Sequence, residues 1–148
     1  AVVEILDSLN SETDQVLIFC QMQTGVDQLV RSLRTKGYPV LGLHGGMSQV
    51  DRNKVMGQFR NGSLSILAST NLSARGIDIL TITHVLNFDM PENVEEYVHR
   101  IGRTARMGMQ GTAISFVAEW DLEVFEKVRE HVGDERLSNR TLDLYTRL

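Results

Sequence analysis

One cysteine, Cys20, stands among the 148 residues, so no disulfide can form within the chain. It closes an apolar run and is expected to be a small buried hydrophobe, in a protein from a reducing, intracellular setting. Lysine is scarce as well: of 15 cationic residues, only Lys36, Lys54 and Lys127 are lysine. The arginines that make up the rest have planar forks suited to phosphate and carboxylate, with compositional drift as the plain alternative. No apolar run approaches the roughly 18 residues that a membrane span needs. No basic-plus-apolar signal peptide opens the chain, although a chain that starts at Ala1 is expected to be a piece of a longer protein whose targeting signals are lost. No cluster has metal-ligand spacing, and a single cysteine leaves little scope for a zinc site. A basic balance is missing too. The net charge of −4 lacks the usual electrostatic footprint of nucleic-acid binding.

What is present is a chain of ordinary single-domain length with 42% hydrophobic residues, enough for a core. Apolar strand-like runs at residues 15–20, 39–43, 65–69, 84–88 and 111–117 alternate with helical patterns at 24–36, 48–60, 93–102 and 120–132. Residues 2–9 also read as helix. Val26, Leu29, Val30 and Leu33 fall at helical spacing, as do Val55, Met56 and Phe59, and Leu122, Phe125, Val128 and Val132. Thr24 with Asp27, Ser48 with Asp51, and Asn93 with Glu96 each place a capping oxygen three residues before a carboxylate. Near-continuous apolar strands between helices predict an α/β three-layer sandwich, a mostly parallel sheet covered on both faces. Residues 1–12 are expected to be a linker or first helix, and 133–148 a C-terminal extension.

In such sheets ligands bind beyond the carboxyl ends of the strands. The residues there are 21–23, 44–46, 70–78 and 89–91, a polar, glycine-rich set. Three constellations fall on or beside it. On a wheel of 100° per residue, His99, Arg103 and Arg106 lie within about 60° of one another, with Glu96 on the same stripe and Val94, Tyr97, Val98 and Ile101 opposite. A solvated charged face is the bland reading of such a stripe. A histidine and two arginines converging without matching acids favour an anion, and arginines aimed at a phosphoryl group stabilise charge during its transfer. Ser69, Thr70, Asn71 and Ser73, followed by Arg75, Gly76 and Asp78, bring hydroxyls, amides, a close-approach glycine and a carboxylate fit for a ribose hydroxyl to one strand end. A hydrophilic turn with a helix cap explains that segment equally well by itself. His44, Gly45 and Gly46 lead into a helix N-terminus that attracts phosphate, with Gln49 and Arg52 on its first turn. The alternative is an ordinary tight turn and surface helix. His84 and His131 are expected to be structural or solvated.

In order and spacing, these segments resemble the C-terminal RecA-like domain of the DEAD-box ATP-dependent RNA helicases of superfamily 2. VLIFCQMQ at residues 16–23 resembles motif IV, and Gln49 with Arg52 the Q-x-x-R element. STNLSARGID at 69–78 resembles motif V, VLNFDMP at 85–91 the strand and turn after it, and EEYVHRIGRTARMG at 95–108 motif VI. The resemblance implies a RecA-like fold and, for the whole protein, an RNA-dependent ATPase that unwinds short duplexes or remodels RNA–protein assemblies. It implies that Arg103 and Arg106 are arginine fingers on the γ-phosphate, that Asp78 contacts the ATP ribose with Gly76 beside the nucleotide, and that His99 and Arg75 couple the nucleotide to the other half of the core. Thr70, Gln49, Arg52 and the backbone at His44, Gly45 and Gly46 would line the path of the RNA sugar-phosphate backbone. Such contacts read no bases. ATP with Mg²⁺ would be held by an N-terminal RecA-like domain of the same protein. The chain has no G-x-x-x-x-G-K-[ST] loop and no Asp-Glu-Ala-Asp sequence, so it is expected to be inactive alone. RNA, that N-terminal domain and regulatory proteins are the expected partners, and no membrane. Asn71, Ala105 and Gly46 depart from the family's usual aspartate, glycine and acid. A slow ATP-gated RNA clamp and a DNA translocase of a related branch are the other readings.

Overall fold

The computed structural model describes residues 1–71, 79, 81–102 and 111–132. Its strands β1 (Val16–Phe19), β2 (Val40–Leu43), β3 (Ile66–Ser69), β4 (His84–Asn87) and β5 (Thr112–Ser115) form one sheet in the order β2-β3-β1-β4-β5. Every pairing is parallel and unstaggered. Phe19 lies opposite Ser69 and Asn87, Ser69 opposite Leu43, and Asn87 opposite Ser115. The carboxyl ends of all five strands therefore share one line.

Among the described residues the helices are α1 (Val2–Ser8), α2 (Gln23–Thr35), α3 (Gln49–Arg60), α4 (Val94–Ile101) and α5 (Leu122–Val132). Strand side chains alternate between two faces, and each face has its own core. Leu17 and Phe19 pack with Val55 and Phe59 of α3. Val16, Ile18 and Cys20 pack with Val26, Leu29 and Leu33 of α2 and with Leu6 of α1. This is the expected three-layer α/β sandwich, and covering both faces is what makes the strands apolar throughout. Each fully buried aliphatic side chain contributes roughly 1.5–3 kcal/mol. Helix α2 comes close to the sheet over Gly42, where an added Cβ would lie 2.8 Å from Val26 Cγ1 and 3.3 Å from Val30 Cγ2. It ends at Gly37, whose φ of 93° suits a glycine at a helix C-terminus.

Two of the three expected caps form. Ser48 Oγ accepts from Asp51 N at 3.1 Å, and Asn93 Oδ1 from Glu96 N at 2.8 Å. The Thr24 cap does not. Helix α2 already starts at Gln23, with Met22 as an N-cap that makes no side-chain bond, and Asp27 is engaged elsewhere, with His44. The chain turns through a 3₁₀ helix, Glu119–Asp121, before α5. Its Asp121 carboxylate accepts from Ala118 N at 3.1 Å. That turn delays the helix, so Leu122 is 51% exposed rather than inward. Phe125 is half-buried and Val128 is buried; the Val132 side chain and the expected C-terminal extension lie outside the described residues. In α4 the expected apolar face is also revised. Tyr97 is buried, but Val98 is 38% exposed and Arg100 takes the inner position.

Candidate functional site

The aligned strand ends deliver four short segments to one edge. The parallel ladder runs past the strands there: Cys20 N donates to Ser69 O at 2.9 Å, Thr70 N to Leu43 O at 3.3 Å, and Phe88 N to Phe19 O at 3.0 Å. These bonds hold Gln21, His44, Thr70 and Asp89 in a row.

The turn after β2 is built around His44. Met47 N donates to His44 O at 3.2 Å. The buried imidazole accepts the Gly46 N–H at Nδ1, 3.0 Å away, so the ring proton sits on Nε2 and is donated to Asp27 at 2.9 Å. The local geometry explains Gly46. A Cβ there would lie 2.8 Å from Gln23 Oε1 and 3.0 Å from His44 Cε1, so the Gln23 carboxamide fills the space of the missing side chain. Helix α3 follows at once. On its first turn Arg52 Nη2 donates to Gln49 Oε1 at 2.8 Å, and Gln49 Nε2 donates to Asn53 at 2.8 Å. Arg52 Nε is buried and has no hydrogen-bond partner among the described residues. A buried, unsatisfied donor is costly.

Thr70 is buried at the end of β3, its carbonyl accepting from Ser69 Oγ at 2.9 Å. Next to it lies a group that the helical wheel overlooked. Arg100 of α4 is 2% exposed. Its Nε donates to Asn71 Oδ1 at 2.7 Å, Nη1 to Asn87 Oδ1 at 3.2 Å and to Asp89 O at 2.5 Å, and Nη2 to Gln21 Oε1 at 3.0 Å. The guanidinium carbon lies 5.1 Å from the centre of the Phe19 ring, within cation–π range. Burial pulls the Arg100 pKa below its ordinary value, with Glu96 and Asp89 opposing the shift. Beside it, burial, reinforced by Asp89, pushes the Cys20 thiol up to about 12 against the opposing charge of Arg100. Cys20 is thus the inert buried thiol that the sequence predicts. The signal that could have found Arg100 is the set of polar residues at strand ends, Gln21, Asn71, Asn87 and Asp89, which need a common buried donor.

His44, Gly45, Gly46, Gln49, Arg52 and Thr70 thus belong to three segments that the sheet brings to one edge. His99 is exposed on the last turn of α4. Arg75, Gly76, Asp78, Arg103, Ala105 and Arg106 lie outside the described residues. Among the described residues no group of three or more His, Cys, Asp or Glu side chains could hold a metal, and no helix is long and apolar enough to cross a membrane.

The family model of the helicase conserved C-terminal domain matches residues 1–108. The ATP-dependent RNA helicase DBP2 of Candida albicans is 47% identical over 112 residues, 76% of this chain and 20% of the relative; the chain thus spans about a fifth of that protein. A structure of S. cerevisiae Dbp5 bound to RNA and ADP BeF3 superposes with a TM-score of 0.78 at 34% identity, covering 84% of this chain and 34% of the other. The E. coli DEAD-box protein SrmB, bound to regulator of ribonuclease activity A, gives a TM-score of 0.79 at 35% identity, covering 96% of this chain and 88% of the other. Sequence, sheet order and these likenesses agree, and the chain belongs to the helicase conserved C-terminal domain family, as the C-terminal RecA-like domain of a DEAD-box RNA helicase.

Proposed function

We propose that this chain is the second half of an ATP-dependent RNA helicase core, and that its strand-end edge grips the RNA sugar-phosphate backbone. The observation that carries this reading is the convergence on one edge of the start of α3, with Gln49 and Arg52 on its first turn, the Gly45–Gly46 turn after β2 and Thr70 at the end of β3. Together they offer the first-turn N–H groups of α3, a hydroxyl and a cation to a strand of phosphates, contacts that read no bases. The RNA-bound Dbp5 structure supports the assignment by likeness. Local grips of this kind also reconcile RNA binding with a net charge of −4, because few phosphates need be neutralised.

The ATP side follows from the resemblance. ATP and its Mg²⁺ would be held by the N-terminal domain, the metal supplying charge neutralisation on the phosphates. Arg103 and Arg106 would reach the γ-phosphate when the halves close, with Asp78 on the ribose and Gly76 beside it. His99, exposed at the end of α4, and Arg75 would couple the nucleotide to the opposing domain. Closure over ATP would kink one RNA strand and so separate a short duplex. Regulatory protein partners are part of the proposal, since SrmB is seen with a protein bound. The test of the RNA edge is Arg52→Gln in the full-length protein. The slope of log affinity against log salt should shrink by about 0.7 for single-stranded RNA, and an unchanged slope and affinity would remove Arg52 from the path.

A further inference from the structure

Trp120 is the only tryptophan of the chain, and it is 86% exposed. It stands beyond the carboxyl end of β5, at the opposite side of the sheet from the His44 turn after β2. The parallel ladder reaches that corner, with Phe116 N donating to Asn87 O at 3.0 Å. The Phe88 and Phe116 rings meet there edge to face, their centroids 6.2 Å apart. Val117 and Leu122, on either side of Trp120 in sequence, are exposed as well. An indole left in water forgoes the burial that a large aromatic side chain ordinarily supplies. An exposed apolar patch with a polar rim marks a contact surface.

The turn that carries the indole is held by its own bonds. Asp121 N donates to Ala118 O at 3.0 Å, and the Asp121 carboxylate accepts from Ala118 N at 3.1 Å. The side chain is thus presented at a fixed place, and little ordering is lost when something docks on it. Helical neighbours lie three and four residues apart, which sets Glu123 beside Trp120, and Glu119 beside Leu122 and Glu123. Lys127 stands 3.5 Å from Glu123, but both are exposed, and such a pair contributes little. This acidic rim decides the occupant. Carboxylates repel the phosphates of RNA and an anionic membrane surface. A second copy of this chain, meeting the first about a twofold axis, would set Glu119 and Glu123 against the same acids. A guanidinium suits both parts of the surface: its plane stacks on an indole, and its fork pairs with a carboxylate better than an ammonium does.

We propose that the turn at residues 119–123 docks an arginine-bearing segment of a protein partner, its guanidinium stacked on Trp120 and paired with Glu123. The site uses none of the residues given to RNA or ATP and is tested without either, so its failure leaves the proposed function untouched. The 148-residue chain holds both cores of the sheet and serves by itself. Its sole tryptophan makes intrinsic fluorescence a reporter of this turn alone. The probes are a short peptide of arginine and glycine, the same peptide with lysine for arginine, and single-stranded RNA. The arginine peptide should quench Trp120 saturably and bind tighter than the lysine peptide. By anisotropy of the labelled peptide, Trp120→Ala should weaken binding by about fivefold, the worth of one exposed cation–π contact, with an unchanged melting temperature. Trp120→Leu, which keeps apolar area but has no π face, should lose nearly as much. Glu123→Gln should weaken binding by about threefold, whereas Glu130→Gln, an exposed acid of α5 outside the turn, should leave it unchanged. Full affinity in Trp120→Ala, equal losses in Glu123→Gln and Glu130→Gln, or no saturable quenching by the arginine peptide would overturn the proposal. Quenching by RNA would overturn it in favour of a nucleic-acid contact, and dimerisation that Trp120→Ala abolishes would overturn it in favour of a second copy.

Discussion

Replacing Arg100 with methionine removes the buried cation and keeps much of the side-chain volume. It leaves Asn71 Oδ1, Asn87 Oδ1, Asp89 O and Gln21 Oε1 without their shared donor. Two effects compete. Relief from burying a charge stabilises the variant, because desolvating a guanidinium is costly. The orphaned acceptors destabilise it, each by about 1–3 kcal/mol when buried. The orphaned acceptors outweigh one desolvation, because the deletion removes one partner and leaves the others in place; the Asn87 bond is buried and the other three are part-buried and can be rehydrated in part, so the net loss is about 3 kcal/mol. For a domain near this size that corresponds to a fall of about 10 °C in melting temperature. Urea unfolding of the 148-residue chain, followed by circular dichroism, measures the loss directly. Arg100→Lys should lose about half as much, since an ammonium cannot reach all four acceptors in the directions of a planar fork. A loss below about 1 kcal/mol for the methionine variant would show that the network carries little net energy and would refute this reasoning.

Gly42→Ala should destabilise the domain by about 1–3 kcal/mol through overpacking, since the new methyl meets Val26 Cγ1 at 2.8 Å; denaturation midpoints will show it, and an unchanged midpoint would mean that α2 lifts without cost. Cys20 should resist thiol reagents at pH 8 until the chain unfolds, because it is buried with its thiol pushed up to about 12; a rapid stoichiometric reaction with folded protein would contradict this. The unfolded thiol ionises from about 9.0 while the folded one stays protonated. The folded state therefore holds the extra proton in that window, and Cys20's contribution to stability should fall as pH rises from about 9 toward 12, a slope that Cys20→Ala should lack. Arg106→Ala in the full-length protein should remove most ATP turnover and leave the melting temperature unchanged; near-normal turnover would take it out of the finger role.

The fold was legible wherever one local rule decided it. Residues 16–20 are apolar because both faces of β1 are covered, and Ser48 and Asn93 stand at helix starts where their oxygens meet free N–H groups. Reading failed where distant partners decided. Thr24 has a cap's spacing from Asp27, but that carboxylate goes to His44, which lies on the next strand's end. The helical wheel sorted α4 by polarity and turned Val98 inward. The sheet edge instead offers polar acceptors from 79 residues away in sequence, as between Gln21 and Arg100, which makes that position better for an arginine than for a valine. That His44, Gly46, Gln49, Arg52 and Thr70 come to one edge was legible because strand ends in an open α/β sheet gather there. Asn71, Asn87 and Asp89 were not found as a unit, because no periodicity marks residues that meet only through a side chain on another element.

The central claim is that this domain serves an RNA-driven motor. The most direct test is ATP hydrolysis by the full-length protein with matched single-stranded RNA and DNA as stimulants. Strong stimulation by RNA alone is the predicted result, since contact with the 2′-hydroxyl is how a backbone-gripping protein tells RNA from DNA. Equal stimulation by DNA would contradict the account in favour of a DNA translocase, and stimulation by neither would contradict it in favour of a slow clamp.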